Sequence, residues 1–369
     1  MRQFYRLLIS HFKEIIREPA VIFWGIVFPI LMAGGLGLAF NKKPVVSRNI
    51  VLIASSSSNE ALPSFLTTKL SLKKIEPLKG NVHFQYSYSN KSMGQLTLNF
   101  YPANWSQANE MLKKGIASVV IESKNGVPDY HFDPMNPEAL LLHLQLTGLL
   151  EKGPAFFEEN TQHAKALTLP GTRYIDFLVP GLIGMGIMMA CMWGISYSVI
   201  EKRSKKLLRR MVATPMKKPF FLGSLFVARI TMNFIEGFLL FLFAYLFFGT
   251  AVQGSGWALF ILFVAGNIAF SGLAVLISSR TANPEVGTGL INAFVTPMMV
   301  LSGVFFSYHS FPDWIITIIR TLPLTMLIDS FRAVFNEGAG IMDVALSSLI
   351  LLIEGTVFFI AGLKLYKWY

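Results

Sequence analysis

The chain has 369 residues, of which 53% are hydrophobic and 14% charged, and its 32 Lys and Arg outnumber its 21 Asp and Glu. Soluble domains run at about 45–50% apolar and about 25% charged, so this composition excludes an ordinary water-soluble globule, a disordered chain and a coiled coil. The net charge of +11 raises nucleic acid as a partner, a question settled by where the charges sit; the lone cysteine, Cys191, excludes an intrachain disulfide and a cysteine-based metal site.

Phe4, Leu7, Leu8, Phe12, Ile15 and Ile16 recur at helical spacing, and Arg2, Arg6, Lys13 and Arg17 fall largely elsewhere on the wheel. Residues 1–19 are expected as an amphipathic helix on the cytoplasmic membrane surface, ended by Pro19. The charge-free run 20–41 is long enough to cross about 30 Å of hydrocarbon as a helix. Its length, with Glu14 and Glu18 ahead of it, argues for a retained anchor rather than a cleaved signal.

Residues 42–173 have ordinary soluble composition and are expected to form an extracytoplasmic α/β domain. Asn49–Ala54 reads as a buried strand, followed by a turn at Ser55–Ser58 and a helix through Leu70. The alternating runs Val82–Tyr88 and Gln95–Tyr101 read as half-buried strands. A helical face through Trp105, Ala108, Met111 and Leu112 stops at Gly115. Ile116–Ile121 and Tyr130–Phe132 follow as strands, and Asn136–Lys165 is mostly helical, interrupted near Gly153 and Pro154. Chemistry is sparse here: His83, His131, His143 and His163 lack metal-ligand spacing, Asp129 and Asp133 read as turn formers beside Pro134, and no nucleophile elbow occurs.

Five further spans are expected at 177–200, 230–249 (with Glu236), 257–279, 286–307 and 344–363 (with Glu354). The fold class is therefore a polytopic helical membrane protein with six transmembrane helices, an N-terminal interfacial helix and an α/β domain after the first span. Between the second and third spans, 201–229 carries nine Lys and Arg and one acid, whereas 250–256 is uncharged and 308–343 has four acids and two bases. Basic residues in short loops mark the cytoplasmic side, which places both termini there. The positive balance thus reflects topology and anionic headgroups, and no nucleic-acid partner is expected.

Two stretches carry the functional expectation. In 201–229, Leu207, Leu208, Met211 and Val212 form a short apolar face on a basic helix ended by Pro215, suited to pass motion from a cytoplasmic partner into the membrane. In 309–337, Phe311-Pro312-Asp313-Trp314, Leu322-Pro323-Leu324-Thr325 and Asp329-Ser-Phe-Arg332 read as two short helices, too apolar for water, that re-enter the outer leaflet. Glu236 and Glu354 are costly in lipid and, with Asn292, are candidates for a transport path or interface. Gly181, Gly184 and Gly186 permit close helix approach, with a dimer contact as one use.

The basic helix, the span, the outer domain, the five further spans, the basic loop ending in Thr214-Pro215 and the Leu301-Ser302-Gly303 to Arg332 run together resemble the membrane permease of ABC-2-type ABC transporters. Ser106-x-Ala108-x-x-x-Leu112-x-x-Gly115 resembles the bacterial branch with a large extracytoplasmic domain. One departure stands out: Ser204, Lys205 and Lys206 occupy positions where many relatives have Gly-Thr and an acid. The resemblance implies an exporter of an amphipathic or hydrophobic substrate (lipid, drug or natural product) in a cell inner membrane. Its implied partners are ABC ATPase subunits, a second permease copy or paralogue and membrane lipids, with room for a periplasmic adaptor. No Gly-x-x-x-x-Gly-Lys-[Ser/Thr] loop occurs, so no cofactor is expected on this chain and ATP and Mg belong to a partner ATPase. The resemblance assigns ATPase coupling to Glu201, Lys205, Leu207, Leu208, Arg209, Met211, Thr214 and Pro215. It assigns the outer re-entrant motif to Gly303, Pro312, Trp314, Pro323, Asp329 and Arg332. The alternative reading is an ion- or proton-coupled secondary transporter or channel, supported by Glu236 and Glu354.

Overall fold

In the computed structural model, which describes residues 2–41, 45–53, 66, 70, 72–75, 83–90, 94–124, 127–153, 171–212 and 218–366, the amphipathic start of the chain forms α1 (Arg2–Arg17). Only part of its apolar arc is left open. Phe4 meets Phe220 edge-on with ring centroids 6.3 Å apart, and His11 is buried against Phe221, while Tyr5, Ile9 and Ile16 stay exposed on the same side as Lys13. Span 1 is assembled from α2 (Pro19–Ile22), a π-helical segment (Phe23–Val27) and α3 (Phe28–Asn41).

One compact unit, Lys42–Thr168, is built on a six-stranded sheet. Its elements are β1 (Val45–Ile53), β2 (Lys73–Ile75), β3 (His83–Asn90), β4 (Gly94–Ala103), α4 (Trp105–Lys113), β5 (Val119–Lys124), β6 (Val127–Phe132) and α5 (Pro137–Lys152), with strand order β2-β3-β4-β1-β5-β6. β1 is central and runs parallel to β4 and β5, whereas β3–β4 and β5–β6 are antiparallel. That position explains its unbroken apolar run, since alternate side chains serve two faces. Ile50 and Leu52 join Leu98, Phe100 and the Leu142–Leu146–Leu149 face of α5, while Val51 and Ile53 join Ala108 and Ala117 on the opposite face. Asn104 and Gln107 form a capping box at the start of α4, and Gly115, at φ +66°, follows its end as the sequence suggests. β2 had no counterpart in the sequence reading. The helix expected after Ser58 lies largely outside the described residues, as does the continuation of α5 beyond Gly153.

The other unit, Met1–Asn41 with Leu169–Tyr369, is helical. Its boundary falls before Leu169 rather than after Arg173. Arg173 and Asp176 pair at 2.8 Å, and Arg173 Nη1 donates to the Phe248 carbonyl at 2.6 Å, which fastens this segment to the helices. Span 2 joins α6 (Tyr174–Cys191), a second π-helical segment (Met192–Tyr197) and α7 (Ser198–Ser204). After a turn at Lys205–Lys206 comes α8 (Leu207–Val212), then α9 (Lys218–Phe248), α10 (Gly256–Ser278), α11 (Pro284–Leu301), α12 (Asp313–Arg320), α13 (Pro323–Asn336) and α14 (Ile341–Leu365). Among the described residues, five segments are long and apolar enough to cross a membrane, 23–40, 174–204, 219–248, 256–278 and 341–365, and the bent pair α12–α13 makes a sixth if counted as one.

Two sequence boundaries change. The helix that carries the third span begins at Lys218, not at residue 230, so Arg229 belongs to α9 and is buried rather than lying in a basic loop. An apolar scan stops at a charge and cannot see that a partner neutralises it. The expected fifth span is the 18-residue α11, which is less apolar than the other five and ends at Leu301; Gly303, at φ +73°, turns the chain in the left-handed region before Ser307. α10 and α14 touch backbone to backbone, since a β-carbon on Gly272 would collide with the Gly355 carbonyl.

Candidate functional site

At one end of the membrane unit, α7 leads directly out of span 2 into the segment expected to couple. Lys205 pairs with Glu201 one turn back at 2.7 Å, and that contact raises the lysine pKa. Lys206 sits at φ +57°, a left-handed conformation that disfavours any residue with a β-carbon. This turn starts α8 in a new direction, and the two leucines then part. Leu208 is 1% exposed and joins the membrane core, while Leu207 is 38% exposed and Arg209 is also exposed. The expected apolar face is therefore split, with one leucine rooted inward and the other presented outward. Met211 lies in α8. Thr214 and Pro215 fall outside the described residues.

Side chains unranked by the sequence reading hold this segment. Arg203 Nη1 donates to the carbonyls of Ser278 and Thr281 at 2.5 and 2.6 Å, closing the end of α10, and its guanidinium stands over the Tyr366 ring at 4.9 Å. Burial drives the Tyr366 phenol up to about 12. Lys202 Nζ lies 2.9 Å from the Glu14 carboxylate on α1, and His11 lies 3.3 Å from the same carboxylate. Bonding to His11 first, and to Lys202 next, lowers the Glu14 pKa to about 2.

The segment expected to re-enter the outer leaflet lies on the start of span 2. α12 and α13 meet at 85°; Pro312 precedes α12, and Pro323 occupies the first turn of α13, where a missing N–H costs nothing. Arg332 is the main tie. Its Nη2 donates to the Gly303 carbonyl at 2.6 Å and the Phe177 carbonyl at 3.3 Å, and the guanidinium lies 3.5 Å from the Phe177 ring centroid. Asp329 accepts the Tyr308 hydroxyl at 2.6 Å and sits 3.7 Å from Arg332. Phe177, Tyr308, His309, Asp329, Arg332 and Glu337 border a cleft of about 290 Å³. Trp314 is 69% exposed. Gly181 packs against the Val304 carbonyl and Arg332, and Gly184 against Ile328. Their small size thus serves contacts within the chain; a β-carbon on Gly186 would meet nothing within 4 Å.

Within the bundle, Glu236 has a partner that sequence alone did not supply. Arg229 Nη2 lies 4.0 Å from its Oε1, both residues being nearly fully buried on α9. Between them Asn233 Nδ2 donates to Asn267 Oδ1 at 2.7 Å and to Cys191 Sγ at 3.6 Å. The seven-residue spacing of Arg229 and Glu236, two helical turns, was the signal available in the sequence. Glu354 is half-buried on α14 with Oε2 lacking a hydrogen-bond partner, and Asn292 is exposed on α11. Among the described residues, no group of three or more His, Cys, Asp or Glu side chains is placed to hold a metal ion.

The family model described as "ABC-2 family transporter protein" matches residues 19–364. The chain is also 24% identical over 365 residues to ABC transporter G family member 20 of Dictyostelium discoideum, an alignment covering 92% of this chain and 48% of that protein. The chain thus spans about half the length of the curated relative it matches.

Proposed function

Because the chain belongs to the ABC-2 family of transporter proteins, we propose that it is the permease of an ATP-driven exporter for an amphipathic or hydrophobic substrate such as a lipid, drug or natural product. The observation that carries this reading is the split at α8. Leu208 is anchored in the membrane core and Leu207 and Arg209 point outward, directly after a span-2 helix that runs from Tyr174 to Ser204. A partner pressing on α8 would move a long helix rather than a free loop. In this reading α8 and both termini are cytoplasmic, the Lys42–Thr168 unit is extracytoplasmic, and ATP and Mg are bound by ABC ATPase subunits. Glu201 and Lys205 belong to the same docking surface, and Met211, Thr214 and Pro215 keep the coupling role that the resemblance assigns them.

Transport calls for a second permease, identical or paralogous. α11 supports this, because Asn292, Phe294 and Thr296 are exposed on a helix with little apolar margin, and polar groups at membrane depth face protein or water rather than lipid. The competing ion-coupled reading loses ground at Glu236, because a buried arginine, Arg229, lies 4.0 Å from its carboxylate. Co-purification decides between them. The full chain should capture an ABC ATPase and transport only with ATP; proton-driven transport without any ATPase would overturn the proposal.

A further inference from the structure

The two π-helical segments of the membrane unit share a feature. Each carries Trp-Gly-Ile, as Trp24-Gly25-Ile26 in span 1 and Trp193-Gly194-Ile195 in span 2. π-Bulges are uncommon, cost regular hydrogen bonding and concentrate at functional sites. In each segment the glycine is pressed by one member of the buried charge pair on α9. A β-carbon on Gly25 would lie 2.7 Å from the Glu236 carboxyl carbon, and one on Gly194 would lie 2.9 Å from Arg229 Nε.

The pair itself is loose. Its 4.0 Å separation exceeds hydrogen-bond length, and Arg229 Nε, Asn233 Oδ1 and Glu236 Oε1 are all buried without a hydrogen-bond partner. An ion pair of this kind is a poor source of stability, since desolvating two charges offsets their attraction. Its placement accounts for it better. The span-2 notch lies directly before α7, whose Lys202 holds Glu14 of α1; α1 leads into span 1, whose notch holds Glu236. The contacts form a closed circuit from α7 through Arg229 and Glu236 to span 1 and back through α1.

We propose that Arg229 and Glu236 are positioning residues of a clasp that seats in the two Trp-Gly-Ile notches, so that spans 1 and 2 move together about α9 when α7 is displaced. The proposal rests on the transport reading only for what displaces α7. The clasp itself can be tested without an ATPase, because the chain's one cysteine, Cys191, is buried beside Asn233 and accepts from Ser271 at 3.6 Å.

The experiment is the rate of Cys191 modification by methyl methanethiosulfonate in the full chain, reconstituted in nanodiscs. Arg229→Ala and Gly194→Ala should each raise the rate at least about tenfold, and Arg229→Lys should keep most of the protection. The decisive variant is the double one. Arg229→Ala removes the Cδ, Nε and Cζ atoms that a β-carbon on Gly194 would meet, so Gly194→Ala/Arg229→Ala should match Arg229→Ala alone. Multiplying effects in the double variant, or a wild-type rate in both single variants, would overturn the clasp while leaving the transporter reading intact. If Arg229→Ala does not fold, Gly25→Ala and Gly194→Ala keep both charges and decide the matter, since an unchanged rate in both refutes it. With an ATPase present, Gly25→Ala should also lower substrate moved per ATP hydrolysed, a ratio that a purely structural contact would leave alone.

Discussion

Replacing the two leucines of α8 one at a time separates anchoring from docking. Leu208 is 1% exposed within the membrane core. Truncating it to alanine removes a packed side chain and leaves a cavity, a loss of about 3 kcal/mol that shifts the equilibrium between seated and detached α8 about 150-fold. Leu207 is 38% exposed, so Leu207→Asp should change the stability of the chain by no more than about 0.5 kcal/mol. The assay is amide hydrogen exchange across residues 201–212 in the purified chain, paired with capture of an ABC ATPase. Leu208→Ala should accelerate exchange throughout α8, and Leu207→Asp should leave exchange unchanged while abolishing capture. Equal loss of protection in the two variants, or none in Leu208→Ala, would refute the division of roles.

Arg332→Met should loosen the tie between α13 and span 2, leaving the Gly303 and Phe177 carbonyls without their donor at a cost of about 3 kcal/mol; Arg332→Lys should not restore it, because an ammonium lacks the planar fork and the stacking face. A thermal scan of the purified chain reads both, and rescue by lysine would contradict the geometry. The α1–α7 contact should depend on acid. Glu14 titrates near 2 when folded against 4.5 when free, so its contribution is complete above pH 4.5 and disappears as the pH falls through that interval. With the Glu14 side chain 43% exposed, screening holds the effect to about 1 kcal/mol. Hydrogen exchange of α1 against pH should show it in the wild type and not in Glu14→Gln; identical profiles would exclude this contact as the cause. Finally, Lys206→Gly relieves the left-handed conformation at φ +57° and should stabilise the turn before α8 by about 0.5 kcal/mol, after allowing for the added freedom of the unfolded chain. Slower exchange at the residue 206 and Arg210 amides, which bond the Arg203 carbonyl and the residue 206 carbonyl, is the expected readout, and faster exchange would show that the lysine is held there by something more favourable than its strain.

Most of the architecture was legible because it is encoded locally. Hydropathy summed over a helix length locates spans 1, 2, 4 and 6 to within a few residues, and alternation locates β3 and β4, since each pattern reports the surroundings of one contiguous element. At Arg229 the reading failed, although it passed through Glu354 in span 6. Arg229 looked like a loop residue and Glu236 like an isolated acid because hydropathy scores each side chain alone, and in the folded bundle they face each other.

The basic segment 201–212 shows the same division. Its basic, leucine-bearing character lies in a dozen consecutive residues, whereas the turn at Lys205–Lys206 and the inward root of Leu208 appear only in the fold, the latter depending on a core assembled from several spans. Arg173 and Arg203 were anonymous cations in the sequence. Each bonds a carbonyl near the end of a helix 75 residues away, and backbone acceptors of this kind carry no residue signature. The sequence by itself determined that the chain crosses a membrane repeatedly, carries an α/β domain and has a basic, leucine-bearing segment after span 2, because transfer free energy and strand alternation are properties of neighbouring residues. Only the tertiary structure decided which charges are neutralised, which leucine is free to meet a partner and which glycines face a side chain, because those depend on groups brought together across spans.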